Sequence, residues 1–170
     1  MPVIRSVWIP FSGLKAPGTK PATFVDHGIS GAWEFSDGTD DTIVANIKFP
    51  ADMDMTVAPT TLVGWSSNTA DPGDDSKQAV WQIEYLYTQV DEDTTAAAQD
   101  TISVTTSAST VSDGLVTSTF SGMDIPNASD ICLHARIKRL GADGSDTLGD
   151  TAELHGMCMT YTSNKHGTPI

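Results

Sequence analysis

Residues 42–67, TIVANIKFPADMDMTVAPTTLVGWSS, contain two strand patterns separated by an acidic loop that has a proline on each side. Apolar side chains recur at every second position from Ile43 to Phe49, which is the period of a strand buried on one face. Pro50 ends this strand. After the loop, a second alternating run contains Trp65, whose indole is large enough to anchor one side of an apolar core. The stretch therefore predicts two strands joined by a crossover.

The rest of the chain continues this pattern. Residues 79–89 are the longest strand candidate. A strand is predicted because aromatic and aliphatic side chains share one face from Trp81 to Tyr87. A single helix of about two turns is predicted over residues 93–100, where Asp93 can cap the first amides. Further strands are predicted at residues 31–35, 101–105, 116–121, 131–139 and 153–161.

Eight strands separated by turns rich in Asp, Gly, Ser and Pro, without a repeat, are typical of a sandwich or barrel. The connections 66–78 and 141–151 are too long for simple hairpins and suit crossings between two sheets. We therefore predict an all-β fold, a two-sheet antiparallel jelly-roll sandwich over residues 31–163. An extended N-terminal arm over 1–30 precedes it, and a C-terminal tail over 164–170 follows it.

The charge of the chain restricts its partners. A length of 170 residues predicts one domain, and the formal net charge is −13. Such a surface repels phosphate backbones and anionic lipids, so we expect neither nucleic acid nor membrane as a partner. The N-terminus has no apolar run long enough for a signal peptide, which favours a soluble, unexported product.

The arm differs from the rest of the chain. Its four prolines keep residues 1–21 from forming a helix. It also carries three basic residues against one acidic residue, a net charge of +2, which leaves −15 on the remaining 140 residues. We expect such a segment to lie along another surface and to be removable over residues 1–12 without unfolding the sandwich. The predicted partner contacts are Ile4, Trp8, Ile9 and Phe11.

Two groups of residues could bind a metal. Cys132, His134, His155 and Cys158 are all zinc ligand types. Zinc is disfavoured because His155 and Cys158 point to opposite faces of a strand unless Gly156 forms a bulge, and we interpret the cysteines as free thiols.

Calcium is the second possibility, through Asp143, Asp146, Asp150 and Glu153. The alternative, which we favour, is that these carboxylates balance the basic residues of the preceding strand, Arg136, Lys138 and Arg139. We therefore expect no metal and no cofactor. The chain has no nucleophile elbow and its glutamates are scattered, so we predict no catalytic residue and no enzyme.

Several packing and turn motifs are shared with one group of proteins. They are W-x-F at Trp33 and Phe35; P-x-D-x-D at Pro50, Asp52 and Asp54; G-W at Gly64 and Trp65; V-W-x-I-x-Y over Val80, Trp81, Ile83 and Tyr85; R-x-x-R at Arg136 and Arg139; D-T at Asp146 and Thr147; and a final Tyr161. With this pattern, residues 31–161 resemble the trimeric jelly rolls, similar to the tumour-necrosis-factor fold, that decorate or cement the capsids of tailed phages.

The resemblance implies a homotrimer that binds the major capsid protein on the virion surface and stabilises the head shell, after synthesis in the host cytoplasm. Related domains occur on tail fibres, so the alternative is a receptor- or carbohydrate-binding module of a phage tail or head fibre. The sequence adds one argument for a trimer. Four apolar residues lie opposite the core-facing positions of their strands and could be buried between subunits: Val44, Leu62, Val80 and Leu86.

Overall fold

The computed structural model describes residues 3–89, 91–93, 96–124 and 131–164. Within these ranges the chain forms ten strands and one short 3₁₀ turn, Phe11–Gly13. The strands are β1 Val3–Pro10, β2 Thr23–Asp26, β3 Gly31–Phe35, β4 Thr42–Lys48, β5 Thr60–Ser66, β6 Gln78–Thr88, β7 Asp100–Ser107, β8 Val116–Phe120, β9 Cys132–Arg139 and β10 Ala152–Ser163. The predicted C-terminal tail lies, from residue 165 onward, outside the described residues.

The strands form two antiparallel sheets that pack as a jelly-roll sandwich. Sheet A has the order β2-β3-β10-β5-β8, with β1 also paired to β10, and sheet B has the order β4-β9-β6-β7. Strands β4 and β5 lie in different sheets, so the predicted crossover between them is confirmed. The predicted all-β, two-sheet class is confirmed as well.

The core lies between the sheets and is rich in aromatic side chains. Trp65 of sheet A and Trp81 of sheet B are fully buried, and their ring centroids are 5.9 Å apart. Phe35 meets Trp81 edge-on, with a centroid distance of 5.0 Å. Rings of this size contribute strongly to core stability, and these contacts join the two layers directly. The alternation within residues 79–89 predicted the inward face of β6.

The N-terminal arm is part of the sandwich. Strand β1 pairs with β10 in an unbroken antiparallel register from Val3 opposite Ser163 to Pro10 opposite Gly156. Val7 pairs opposite Met159, and both Val7 and Ile9 pack against the core. The chain then crosses to sheet B, where Lys15 and Pro21 form isolated bridges to β4, and returns to sheet A as β2.

This arrangement differs from the prediction of a separable arm. Strand β3 pairs with β10 only at residues 152–154, so without β1 the same edge of β10 would be unpaired from residue 156 onward. Unpaired edge amides and carbonyls favour the addition of a strand. The N-terminal segment supplies this strand from the same chain. We therefore expect deletion of residues 1–12 to destabilise the sandwich.

The predicted helix over residues 93–100 is wrong. Residues 94 and 95 lie outside the described part of the chain; residues 93 and 96–99 are not helical, and Asp100 already begins β7. A two-turn helix is marginal unless tertiary packing supports it. Here the amide of Gln99 donates to the carbonyl of Tyr85 at 2.7 Å, so the segment extends toward β6 instead.

A buried ion pair fastens the loop between β9 and β10. Arg139 is fully buried and donates from Nη2 to Asp146 Oδ1 at 2.8 Å and from Nε to Oδ2 at 3.0 Å. Its Nη1 also donates to the carbonyls of Phe35 and Asp150. Asp146 Oδ2 accepts the amide of Val80 at 3.0 Å, so the pair links both sheets to the loop.

The prediction that the loop carboxylates balance the basic residues of β9 therefore holds for Arg139 alone. Arg136 and Lys138 both pair with Glu84 of β6, which lies beside them in sheet B. The difference follows from strand alternation, because Arg139 points into the sandwich whereas Arg136 and Lys138 point outward.

We predict that Arg139→Met destabilises the protein by about 3–5 kcal/mol, because Asp146 would be left buried without its counter-charge. Arg136→Met is the matched control. Its half-exposed pair with Glu84 contributes less than about 1 kcal/mol. Urea unfolding at neutral pH measures both variants. Equal stability losses in the two variants would contradict the role assigned to Arg139.

Candidate functional site

The outer face of sheet A carries an exposed tryptophan. Val7 and Ile9 pack on the core, so strand alternation turns Ile4, Ser6 and Trp8 outward. Ile4 is 66% exposed and Trp8 is 55% exposed. An indole left half open to solvent on a strand that is otherwise anchored to the core is a candidate contact surface.

Two glycines let the indole of Trp8 lie close against the sheet. A Cβ atom at Gly156 of β10 would stand 2.6 Å from Trp8 Cζ2 and 2.9 Å from Cη2. A Cβ atom at Gly64 of β5 would stand 3.9 Å from Cη2. Glycine in a strand interior weakens the strand and often marks close approach of another group. Here that group is the six-membered ring of Trp8, and we call Trp8, Gly64 and Gly156 the Trp8 platform.

The surroundings of the platform are apolar or hydroxylated. Leu115, which is 67% exposed, lies 3.7 Å from the Cβ position of Gly64, and Ser6 Oγ lies 3.5 Å from Thr160 Oγ1. Strand registers place the following outward residues on this face: Ile4, Ser6, Trp8, Thr60, Leu62, Gly64, Thr117, Thr119, Cys158, Thr160 and Thr162. None of these residues is charged. The carboxylates on this face are Glu34 and Glu153, which are cross-strand neighbours on β3 and β10 at its other end.

A histidine cluster lies at one end of this face. A β-bulge separates Leu154 from Gly156, and His155 at the bulge has its Nε2 2.8 Å from Ser66 Oγ. Burial lowers the pKa of His155, with Glu153 acting in the opposite direction. Nε2 of His27 is 3.0 Å from Glu153 Oε2. His27 and Glu153 thus contact one another beyond the edge of the platform, where Glu153 also pairs opposite Glu34 of β3.

The predicted metal ligands do not come together. Cys132 and His134 lie on β9 of sheet B, whereas His155 and Cys158 lie on β10 of sheet A. The loop carboxylates have separate contacts, since Asp150 Oδ2 accepts from Thr69 and Asp146 binds Arg139. Across the described ranges, no group of three or more His, Cys, Asp or Glu residues is arranged to hold a metal ion.

The four predicted contact residues separate into two pairs. Ile4 and Trp8 lie on the exposed outer face of sheet A. Ile9 packs against the core, and Phe11 lies 5.9 Å from Phe24, between ring centroids, while its carbonyl accepts the indole N–H of Trp33. The role of these residues as partner contacts stays a prediction. The sequence pattern alone did not reveal Gly64 and Gly156, because their relation to Trp8 depends on strands distant in sequence.

The apolar residues expected to form a trimer contact also separate. Val44 and Leu86 lie on the outer face of sheet B, and Leu62 lies on the outer face of sheet A. Val80 is only 5% exposed. The four residues therefore do not form one patch on a subunit, and the homotrimer stays a prediction without that support.

Comparison with known proteins finds similar folds among solved structures but no sequence match. No protein-family model matches the chain. No curated protein matches its sequence. Independently, no helix among the residues that the structure describes is long and apolar enough to cross a membrane.

Three solved structures show the range of similar folds. An exo-β-1,3-galactanase from Phanerochaete chrysosporium, solved with galactose, superposes with a TM-score of 0.56 at 9% identity, over 92% of this chain and 29% of the enzyme. TmCBM61 in complex with β-1,4-galactotriose gives a TM-score of 0.46 at 10% identity, over 92% of this chain and 91% of the module. The enzymatically active domain of tailspike protein 4 from bacteriophage CBA120 gives a TM-score of 0.44 at 14% identity, over 91% of this chain and 19% of the tailspike chain.

At these identities the likeness shows the fold alone. The chain is a two-sheet jelly-roll sandwich that superposes on part of the galactanase. It spans less than a third of the length of the galactanase.

We predict that Gly156→Ala displaces the indole of Trp8, because the added Cβ would lie 2.6 Å from it. Overpacking of this kind typically costs about 1–3 kcal/mol. Gly144→Ala is the matched control, since a Cβ there meets nothing within 4 Å. Thermal unfolding and tryptophan fluorescence test both variants. If Gly156→Ala were as stable as Gly144→Ala and had an unchanged emission spectrum, the close approach of Trp8 would be refuted.

Proposed function

We propose that this chain is a carbohydrate-binding module whose binding surface is the Trp8 platform. The observation that carries the proposal is the half-exposed indole of Trp8 lying on Gly64 and Gly156, among uncharged outward residues of β1, β5, β8 and β10. The C–H face of a pyranose ring is apolar and matches an aromatic ring in size. Such a ring is held by stacking, while its hydroxyls need hydrogen-bonding groups around it.

The platform is organised before any ligand arrives. The indole is positioned by the pairing of β1 with β10 and lies on backbone rather than on mobile side chains. Binding then orders few protein groups, which reduces the entropic cost of association. Ser6, Thr117 and Thr160 carry hydroxyls on the same face, and these are suited to hydrogen-bonding sugar hydroxyls.

The chemistry of this face favours neutral sugars and binding over cleavage. The outward residues around Trp8 include no Arg or Lys that could pair with a uronate or sulfate. Glycoside hydrolysis requires a pair of carboxyl groups positioned around the sugar. The carboxyls on this face, Glu34 and Glu153, lie beyond the bulge at residues 154–156 and not around Trp8. We therefore propose a non-catalytic role. The setting on a phage tail or head fibre is a further proposal that depends on the sequence resemblance.

Capsid decoration is the second candidate function, and the same face provides its supporting observation. Ile4, Trp8 and Leu115 are exposed apolar side chains on one side of the molecule, and such patches often contact proteins. In this role the face would be covered by a second copy of the chain or by the major capsid protein.

The two candidates are separated by titrating the protein with neutral oligosaccharides, including β-1,3- and β-1,4-linked galactose oligomers, in a calorimeter. Carbohydrate binding predicts that wild type binds at least one of them and that Trp8→Ala weakens binding at least about 10-fold, as loss of a stacked aromatic contact should. Phe24→Ala, which truncates an exposed aromatic on strand β2, should bind like wild type.

Light scattering on the same samples tests the decoration role. If wild type is a trimer that Trp8→Ala converts to a monomer, and if no neutral glycan binds, carbohydrate binding is rejected and subunit association becomes the role of this face. Glycan binding that Trp8→Ala leaves unchanged would exclude the Trp8 platform as the site.

A further inference from the structure

The outer face of sheet B contains a groove that the proposed function does not use. Its volume is about 380 Å³, and its lining includes Val44, Asn46, Glu84, Leu86, His134, Arg136 and residues 96–98. We propose that this sheet B groove is a second binding site, separate from the Trp8 platform, for a carboxylate-bearing sugar of the hexuronate type. The first support is its size, which lies within the range of small-molecule sites.

Strand pairing fixes the chemistry across the groove. Val44, Arg136 and Glu84 lie side by side on β4, β9 and β6. Asn46, His134 and Leu86 form the adjacent row. Apolar side chains therefore stand at opposite sides of a polar centre, as suits a ring that has both C–H faces and hydroxyl groups.

The polar centre is held in place by hydrogen bonds. His134 Nδ1 is 2.9 Å from Asn46 Oδ1, and His134 Nε2 is 2.8 Å from Thr88 Oγ1. Since the amide oxygen of Asn46 accepts, a neutral His134 carries its proton on Nδ1 and accepts from Thr88. This leaves the amide nitrogen of Asn46, on an exposed residue, to donate to a hydroxyl of a ligand.

Arg136 supplies the group that would recognise a carboxylate. Its guanidinium is about half exposed and, among the described residues, donates one hydrogen bond, from Nη1 to Glu84 Oε2 at 3.1 Å. A guanidinium has five N–H donors in a planar fork that matches a carboxylate. The remaining donors of Arg136 can therefore bind a second carboxylate beside Glu84.

The local charge supports an anionic ligand even though the chain is acidic. Arg136 and Lys138 share the single carboxylate of Glu84, which leaves one positive charge in excess in this cluster. Charges farther away than about 8 Å are largely screened at physiological ionic strength. The overall charge of −13 therefore has less influence on a ligand at Arg136 than this cluster does.

The test titrates the full chain with trigalacturonate, with its methyl ester and with neutral galactotriose, by isothermal calorimetry. We expect trigalacturonate to bind and esterification, which removes the negative charge, to weaken binding at least about 10-fold. Arg136→Gln should cause a similar loss. Monomeric galacturonate, as a separate titrant, shows whether one ring suffices or a chain end is needed.

Three control variants test whether trigalacturonate binds in the groove rather than elsewhere on the protein. Arg5→Gln makes the same charge change on β1, where Arg5 pairs with Asp52. This variant should bind trigalacturonate like wild type. Trp8→Ala should also leave this affinity unchanged, which separates this site from the Trp8 platform. Val44→Trp, which fills the groove, should abolish binding.

The proposal is overturned if wild type does not bind trigalacturonate, or if Arg136→Gln binds it as tightly as wild type. It is also overturned if Arg5→Gln loses as much affinity, because the effect would then be one of net charge. An unchanged far-ultraviolet circular dichroism spectrum confirms that each variant is folded. Equal affinity for an acidic peptide such as tetraglutamate would reassign the groove to a protein partner and reject the sugar.

Discussion

The pairing of β1 with β10 is the constraint on which both the fold and the proposed site depend. It supplies the partner that β10 lacks beyond residue 154 and completes sheet A at that edge. The same register fixes the alternation of β1, so Val7 and Ile9 cover the core while Trp8 is turned outward over Gly156. A one-residue slip would exchange these faces. Stability and the candidate function therefore depend on the same hydrogen bonds.

The two outer faces of the sandwich differ in chemistry because different residues alternate with the core positions of each sheet. On sheet A the outward residues around Trp8 are mostly threonines and glycines without a charge, while Glu34 and Glu153 lie at one end of the sheet. On sheet B they include Glu84, Arg136 and Lys138, which form an ion-paired cluster beside a groove. Arg139, one position farther along β9, points inward and is neutralised by Asp146. One sandwich can thus present a surface suited to a neutral ring and another suited to an anion.

Much of the fold could be predicted from sequence because each strand carries a local two-residue period. The inward face of β6, including Trp81, could be read directly from the alternation. The partner of the N-terminal segment could not be predicted, since nothing within residues 3–10 specifies a strand near the other end of the chain. The same limit explains the site. Trp8 was identifiable as an apolar residue without a local core, but its contacts with Gly64 and Gly156 arise only when β1, β10 and β5 are adjacent.

The short helix was mispredicted, and the apolar residues expected at a trimer contact do not lie together, for related reasons. An alanine run with an aspartate cap has helical propensity, but two turns gain little without packing, and strand pairing onto β6 was stronger. Val44, Leu62 and Leu86 all face outward, as predicted, but alternation does not show which sheet each strand joins. Assignment of strands to sheets requires tertiary contacts, and here it placed these residues on opposite faces.

The central claim is that a neutral sugar stacks on Trp8. The most direct measurement is a two-dimensional NMR titration of ¹⁵N-labelled protein with the neutral galactose oligomer that binds best in calorimetry. Stacking on Trp8 predicts that the indole N–H signal of Trp8 and the amide signals of Gly64 and Gly156 shift together and saturate with one dissociation constant. Saturating shifts confined to other parts of the chain, with these three signals unmoved, would contradict it.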